Sequence, residues 1–199
     1  MVVSIVAGGW SVFGDCWVLR SIPGYIIGVN DAAIHLPKVD CVVSMDRLWT
    51  ENRWDWLCEK KYPAWLRVNA LKNVLSRDMS WIHAFVCDHT RTEFSLDQQI
   101  LNGTNSGMCA FNHAYKMMPE AILLFGFDMR PGPNNEQHWY PDHPWKSGQS
   151  TKTPTLKKWA NEFHIAAGQC KRAGIQVVNC SSRSLITDFD RKSPAEVMQ

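Results

Sequence analysis

The sequence predicts an α/β fold: a single Rossmann-like, three-layer domain spanning residues 1–199, with a mostly parallel sheet. Three observations carry that expectation. Apolar, β-branched runs recur along the chain. Two long segments with helical spacing separate the later runs. Turns rich in glycine, asparagine or aspartate close several of them. Strands covered on both faces read as continuous apolar runs, and helices between such strands imply parallel crossovers.

The first run is "VVSIVAGG" (residues 2–9), a buried strand leaving into a tight glycine turn. "YIIGVNDA" (25–32) and "VDCVVSMD" (39–46) repeat the pattern. Further strands are expected at "AWLRVN" (64–69), "IHAFVC" (82–87), "AILLFGFD" (121–128) and "IQVVNCS" (175–181). "SVFGDCWVLRS" (11–21) is the expected first helix, and "DRLWTENRWDWLCEKKYP" (46–63) reads as another. "NSGMCAFNHAYKMM" (105–118) places Met108, Phe111, Ala114, Tyr115 and Met118 at helical spacing. In "TPTLKKWANEFHIAAGQCKRAG" (153–174), Thr153 before Pro154 suggests an N-cap, and Gly174 suggests the residue just past the helix end. Leu156, Trp159, Ala160, Phe163, Ala166 and Ala167 form its expected buried stripe. Residues 130–152 lack periodicity and are expected to form a long lid-like loop, the kind that is commonly functional.

Composition narrows the function classes. The chain is 45% hydrophobic and 20% charged, as in ordinary globular proteins, and its net charge is +2. That charge indicates neither nucleic acid nor an anionic membrane as a partner. No stretch is long and apolar enough for a transmembrane helix, and the N-terminus lacks a basic leader. Seven widely spaced cysteines form no C-x-x-C pair, and several sit in apolar runs. They argue for free thiols in a reducing cytoplasm, not a disulfide framework or cysteine zinc site. Composition leaves a homo-oligomer open.

Ligands of open parallel sheets bind at the carboxyl ends of the strands, so polar residues just after each run are the site candidates. "AGGWS" offers Gly8, Gly9, Trp10 and Ser11. Its glycines allow close ligand approach and its amides suit phosphate, although it has neither a G-x-G-x-x-G nor a Walker pattern. A purely structural turn fits the same residues. "GVND" offers Asn30 and Asp31 for ribose, base or sugar groups, or as a turn and helix cap. In "GTNSG", Asn105, Ser106 and Gly107 open a helix and either cap it or hold an anion. Asp46 and Asp128 are candidates to hold Mg²⁺ with a nucleotide's phosphates, or to pair with Arg47 and Arg130. "HWYPDHPW" (138–145) carries two histidines but no zinc-site spacing. His143 or His138 there is a candidate general base, with the aromatic residues covering a ligand. A packed surface loop remains the plain alternative.

Taken in order, "VAGGWS", "GVNDAAIHLPKVDCVVSMD", "NSGMCAFNHAYKMMPEAILLFGFDM", "HWYPDHPW" and "AGIQVVNCS" resemble a family of small proteins common in bacteriophage and prophage genomes. More distantly, the plan is similar to the bacterial sialyltransferases that use CMP-sialic acid. The resemblance rests on Gly8, Gly9, Asn30, Ser106, Gly107 and Asp128, with His143 or His138 in the lid region, although the first turn reads "GGWS" where that family has an Asn-Gly-Pro-Ser type. It implies a nucleotide or nucleotide-sugar ligand and a catalytic histidine. The archaeal-type hydroxymethylpterin pyrophosphokinases are a second, weaker likeness and imply a nucleotide with Mg²⁺. Two functional classes follow: a sialyltransferase-like glycosyltransferase, or a non-catalytic module that sequesters a nucleotide-derived ligand. A Mg²⁺-dependent pyrophosphokinase-like enzyme is a third.

Overall fold

All seven apolar runs become strands. In the computed structural model, which describes every residue except 13–18, 73–78, 89, 90, 92, 142, 144, 146–150 and 199, they are β1 (Val2–Val6), β2 (Tyr25–Val29), β3 (Cys41–Ser44), β4 (Ala64–Arg67), β5 (Ile82–Phe85), β6 (Ala121–Phe125) and β7 (Gln176–Asn179). A two-residue strand, β8 (Asp190–Arg191), joins at the edge. Every pairing is parallel, in the order β5-β4-β3-β2-β1-β6-β7-β8. Side chains alternate between two apolar layers. Val3, Ile5, Ile122 and Leu124 face one core, while Val6, Leu123 and Phe125 face the other. Burial on both faces is the reason these strands read as unbroken apolar runs.

The helices are α1 (Ala32–His35), α2 (Arg47–Asn52), α3 (Trp54–Lys60), α4 (Val68–Leu71), α5 (Ser106–Lys116), α6 (Thr153–Arg172) and α7 (Pro194–Val197). α5 is buried along nearly its whole length, against β1, β2 and β3. Its Asn112 is fully buried and satisfied: Oδ1 accepts from Ser95 N and Asn102 N, and Nδ2 donates to Ser95 O. Phe111 and Phe163 of α6 stack at 5.9 Å, each burial contributing about 1.5–3 kcal/mol. No helix among the described residues is long and apolar enough to cross a membrane. The six cysteines among them are all free.

Four expectations about the elements need correction. The helix expected over 46–63 is two, α2 and α3, broken at Arg53 (φ −110°, ψ 11°). The strand expected to reach Asn69 stops at Arg67 and turns into α4. Thr153 is the first helical residue of α6, with Lys152 at the cap and Pro154 one position later than expected. Of the stripe expected on α6, Ala160, Phe163 and Ala166 are buried, but Leu156 and Trp159 are only half-buried because they line a cleft. Gly174 does end the helix, at φ +72°. Most of the helix expected over 11–21 lies outside the described residues.

The chain order positions the site. From β1 the chain runs outward to β5, then returns through α5 to place β6 on the other side of β1. The switch point therefore lies between β1 and β6, where open α/β sheets hold their ligands.

On the far flank, Trp65 stacks on His83 at 4.9 Å and meets His113 of α5 at 4.6 Å. Burial, then the nearby Lys116 and His83, push the His113 imidazole down to about 4 from 6.5. The unfolded chain thus binds more protons between those values, so stability falls as pH drops from 6.5 towards 4. The expected loss is up to about 3 kcal/mol. Urea unfolding at pH 7 and pH 5 should show a smaller pH dependence in His113→Gln than in wild type; equal slopes would refute this.

Candidate functional site

A cleft of about 420 Å³ opens at the switch point. Its wall takes Gly8 and Gly9 from the turn after β1, Asn30 from the end of β2, and Asp46 after β3. Asn105, Ser106 and Gly107 come from the start of α5, and Asp128 from the turn after β6. His138 and His143 complete it, so ten of the thirteen predicted site residues meet in one cavity.

The other three turn away. Ser11 serves Asp128 instead of the cleft: its N and Oγ donate to the two carboxylate oxygens at 2.8 and 2.5 Å. Burial pushes the Asp128 carboxyl up, and these bonds pull it partly back. Trp10 lies under the Arg183 guanidinium at 5.6 Å and against Gly132. Asp31, 1% exposed, sits behind the wall and makes no ligand surface.

The glycine turn is needed for close packing. Gly9 N donates to Gly126 O at 2.8 Å, and a Cβ at Gly9 would stand 2.5 Å from that oxygen. A Cβ at Gly8 would meet His138 and Tyr140. Those two flank Trp139, which is bonded directly onto the turn. Trp139 N donates to Gly8 O at 3.1 Å, and Trp139 Nε1 donates to Ala7 O at 3.0 Å. Tyr140 is buried between His138 and His35, with ring centroids 4.9 and 5.1 Å away. Within the loop expected over 130–152, Trp139 is therefore anchored on the glycine turn.

Two clusters give the cleft its chemistry. At α5, Asn105 Oδ1 accepts from Met108 N at 3.0 Å, and Cys109 N donates to Asn105 O. That leaves the Ser106 and Gly107 amides as the open donors of the helix end among the described residues. Because Oδ1 serves the cap, Asn105 Nδ2 is also a donor, and it is buried without a partner. Three N–H donors at a helix N-terminus suit an anionic group. Asn30 takes a left-handed φ of +52° and holds its buried Oδ1 without a partner. Asp46 caps α2 through Trp49 N, and Arg47 pairs with Glu51 one turn along the helix.

The second cluster centres on His143, 7% exposed. Its Nδ1 lies 2.9 Å from Asp31 Oδ2. Asp31 also accepts from Trp49 Nε1 at 2.6 Å and from Arg53 at 2.9 and 2.8 Å. Burial raises the Asp31 carboxyl, but hydrogen bonds from His143, Arg53 and Trp49 outweigh it and hold the group well below the usual carboxylate range. Trp145 stacks on His143 at 4.9 Å, and the Arg53 guanidinium caps Trp145 at 4.8 Å.

Sequence reasoning gave Arg53 and Trp49 no part in the site, because 46–63 read only as a helix. It also passed over Thr104, Gln137, Leu156 and Trp159 as cleft residues. Thr104 stood inside the quoted "GTNSG", which was the available signal. Arg130, weighed only as an ion-pair partner, lines the cleft two residues beyond Asp128. Comparison with protein-family models, with curated proteins and with solved structures finds no match to this chain.

Proposed function

We propose that the cleft binds a nucleotide or nucleotide sugar and that His143 moves a proton in a sialyltransferase-like glycosyl transfer. One observation carries the reading: a buried histidine, tied through Nδ1 to Asp31, shares a cleft with the open amides of α5. With Nδ1 engaged by Asp31, Nε2 is the ring nitrogen left for a substrate. That is the arrangement of a base oriented by a third group.

In the forward step, Nε2 takes the proton of an acceptor hydroxyl. The hydroxyl oxygen bonds to the donor sugar's anomeric carbon. The bond from that carbon to the phosphate oxygen breaks, and its electron pair leaves with the phosphate. The Ser106 and Gly107 amides and Asn105 Nδ2 stabilise the departing charge, being preorganised at a helix end. Asn30 and Asp46, at the ends of β2 and β3, face the sugar or base. Asp128 holds the glycine turn through Ser11. The free cysteines fit a reducing compartment such as a bacterial host's cytoplasm.

The test is binding. Mass spectrometry of small molecules released from the native protein should find a nucleotide. A panel of nucleoside monophosphates and nucleotide sugars at about 100 times Kd should raise stability by about 2.7 kcal/mol, a shift of about 5–10 °C. No shift with any member, and no released nucleotide, would end the reading.

A further inference from the structure

We infer that Asp31 is the positioning residue of His143: it fixes the imidazole as the Nδ1–H tautomer and thereby presents Nε2 as the basic nitrogen of the cleft. The inference rests on the proposed function for its purpose, but not for its geometry. It also reassigns Asp31, which the sequence offers as a ligand contact.

Which atoms can donate decides the tautomer. Trp49 Nε1 and the Arg53 guanidinium are donors only. Trp49 Nε1 and Arg53 Nε both point at Asp31 Oδ1, at 2.6 and 2.9 Å. Arg53 Nη2 and His143 Nδ1 both point at Oδ2, at 2.8 and 2.9 Å. A carboxylate held ionised by this set offers acceptors alone. His143 Nδ1 must therefore carry the hydrogen, and a neutral imidazole has only one. The lone pair is left on Nε2. Trp49 and Arg53 set the plane of the carboxylate. Arg53 also caps Trp145, which lies against the imidazole face at 17°. One guanidinium thus holds the carboxylate and the ring that packs on His143.

Asp31→Asn turns this into a sharp test, because the amide has one acceptor oxygen where the carboxylate has two. With that oxygen in the place of Oδ1, the substituted side chain satisfies the obligate donors Trp49 Nε1 and Arg53 Nε. Its NH₂ then faces His143 Nδ1 and one arm of Arg53. The opposite orientation sets the NH₂ against two obligate donors, so the first is favoured. In it, Nδ1 must accept, and the hydrogen moves to Nε2. The same substitution in a Ser-His-Asp triad lowers kcat about 10⁴-fold through the wrong tautomer.

The experiment is a long-range ¹H–¹⁵N spectrum of ¹⁵N-histidine-labelled protein at a pH where the rings are neutral. The His143 signals are assigned by their loss in His143→Gln. Wild type should show Nδ1 protonated and Nε2 bare, and Asp31→Asn should show the reverse. A wild-type Nε2–H tautomer overturns the inference without any variant, so it stays testable should Asp31→Asn fail to fold. An unchanged tautomer in folded Asp31→Asn overturns it as well. Once a donor is known, Asp31→Asn should lower kcat by on the order of 10³–10⁴ with nucleotide affinity kept, since Asp31 lies outside the cleft wall. If the tautomers behave as expected but His143→Gln turns over normally, His143 is not the base of the transfer, while the positioning role of Asp31 stands.

Discussion

His143→Gln should lower turnover by about 10²–10⁴-fold, the usual worth of a positioned general base, while nucleotide affinity changes little. Glutamine can still donate to Asp31, so the buried carboxylate is not left bare and the cleft wall stays in place. What disappears is the lone pair on Nε2. Affinity persists because the donors suited to phosphate belong to the start of α5. His138→Gln is the control. His138 also lines the cleft, but its ring stacks on Tyr140 at 4.9 Å and packs against Gly8, whereas the Asp31 carboxylate is bonded to His143. Its loss should slow turnover far less. Single-turnover rates on both variants, with calorimetry of nucleotide binding, separate the roles. A His138 variant that is dead beside an active His143 variant would reverse the assignment. Loss of affinity in His143→Gln would make the histidine a ligand contact instead.

The contrast between the two histidines shows which parts of the site the sequence could reveal. Strands were legible because parallel strands are buried on both faces, so Val2–Val6 and Ala121–Phe125 carry no polar alternation to blur them. The cleft floor was legible because it is made of strand ends, and strand ends follow directly from the runs. The orientation of His143 was not legible. Its partner Asp31 is 112 residues away, and Arg53 lies 22 residues beyond Asp31. Nothing in spacing distinguishes Arg53 from the other charges of 46–63. Its place at the break between α2 and α3 appears only once the helix is seen to end there. Trp10 and Ser11 lie off the cleft wall for a local reason: the turn after β1 tightens at once, so Ser11 closes on Asp128 and Trp10 on Arg183. A strand-end rule gives the neighbourhood of a ligand, but not the direction each side chain takes.

Gly126→Ala should be the most damaging small substitution at the cleft. Gly126 follows β6 at φ +70°, which alone costs an alanine about 1–2 kcal/mol. Its Cβ would also stand 2.5 Å from Ala7 O and 2.9 Å from Val12 Cγ2. The oxygen is backbone at the end of β1 and cannot rotate away. Overpacking of that kind costs a further 1–3 kcal/mol or so, for a total of about 2–5 kcal/mol and a Tm lowered by about 5–15 °C. Relief requires the ends of β1 and β6 to part. That would strain the bond from Gly9 N to Gly126 O and move the glycine turn on which Trp139 rests. Nucleotide affinity should therefore fall along with stability. Gly174→Ala separates the two causes. Gly174 has nearly the same φ, +72°, but nothing lies within 4 Å of its Cβ. It should lose only the conformational term, about 1–2 kcal/mol, and bind nucleotide as wild type does. Equal losses in the two variants would mean that the switch point yields to a methyl group, and that the close approach of β1 and β6 is not what shapes the cleft.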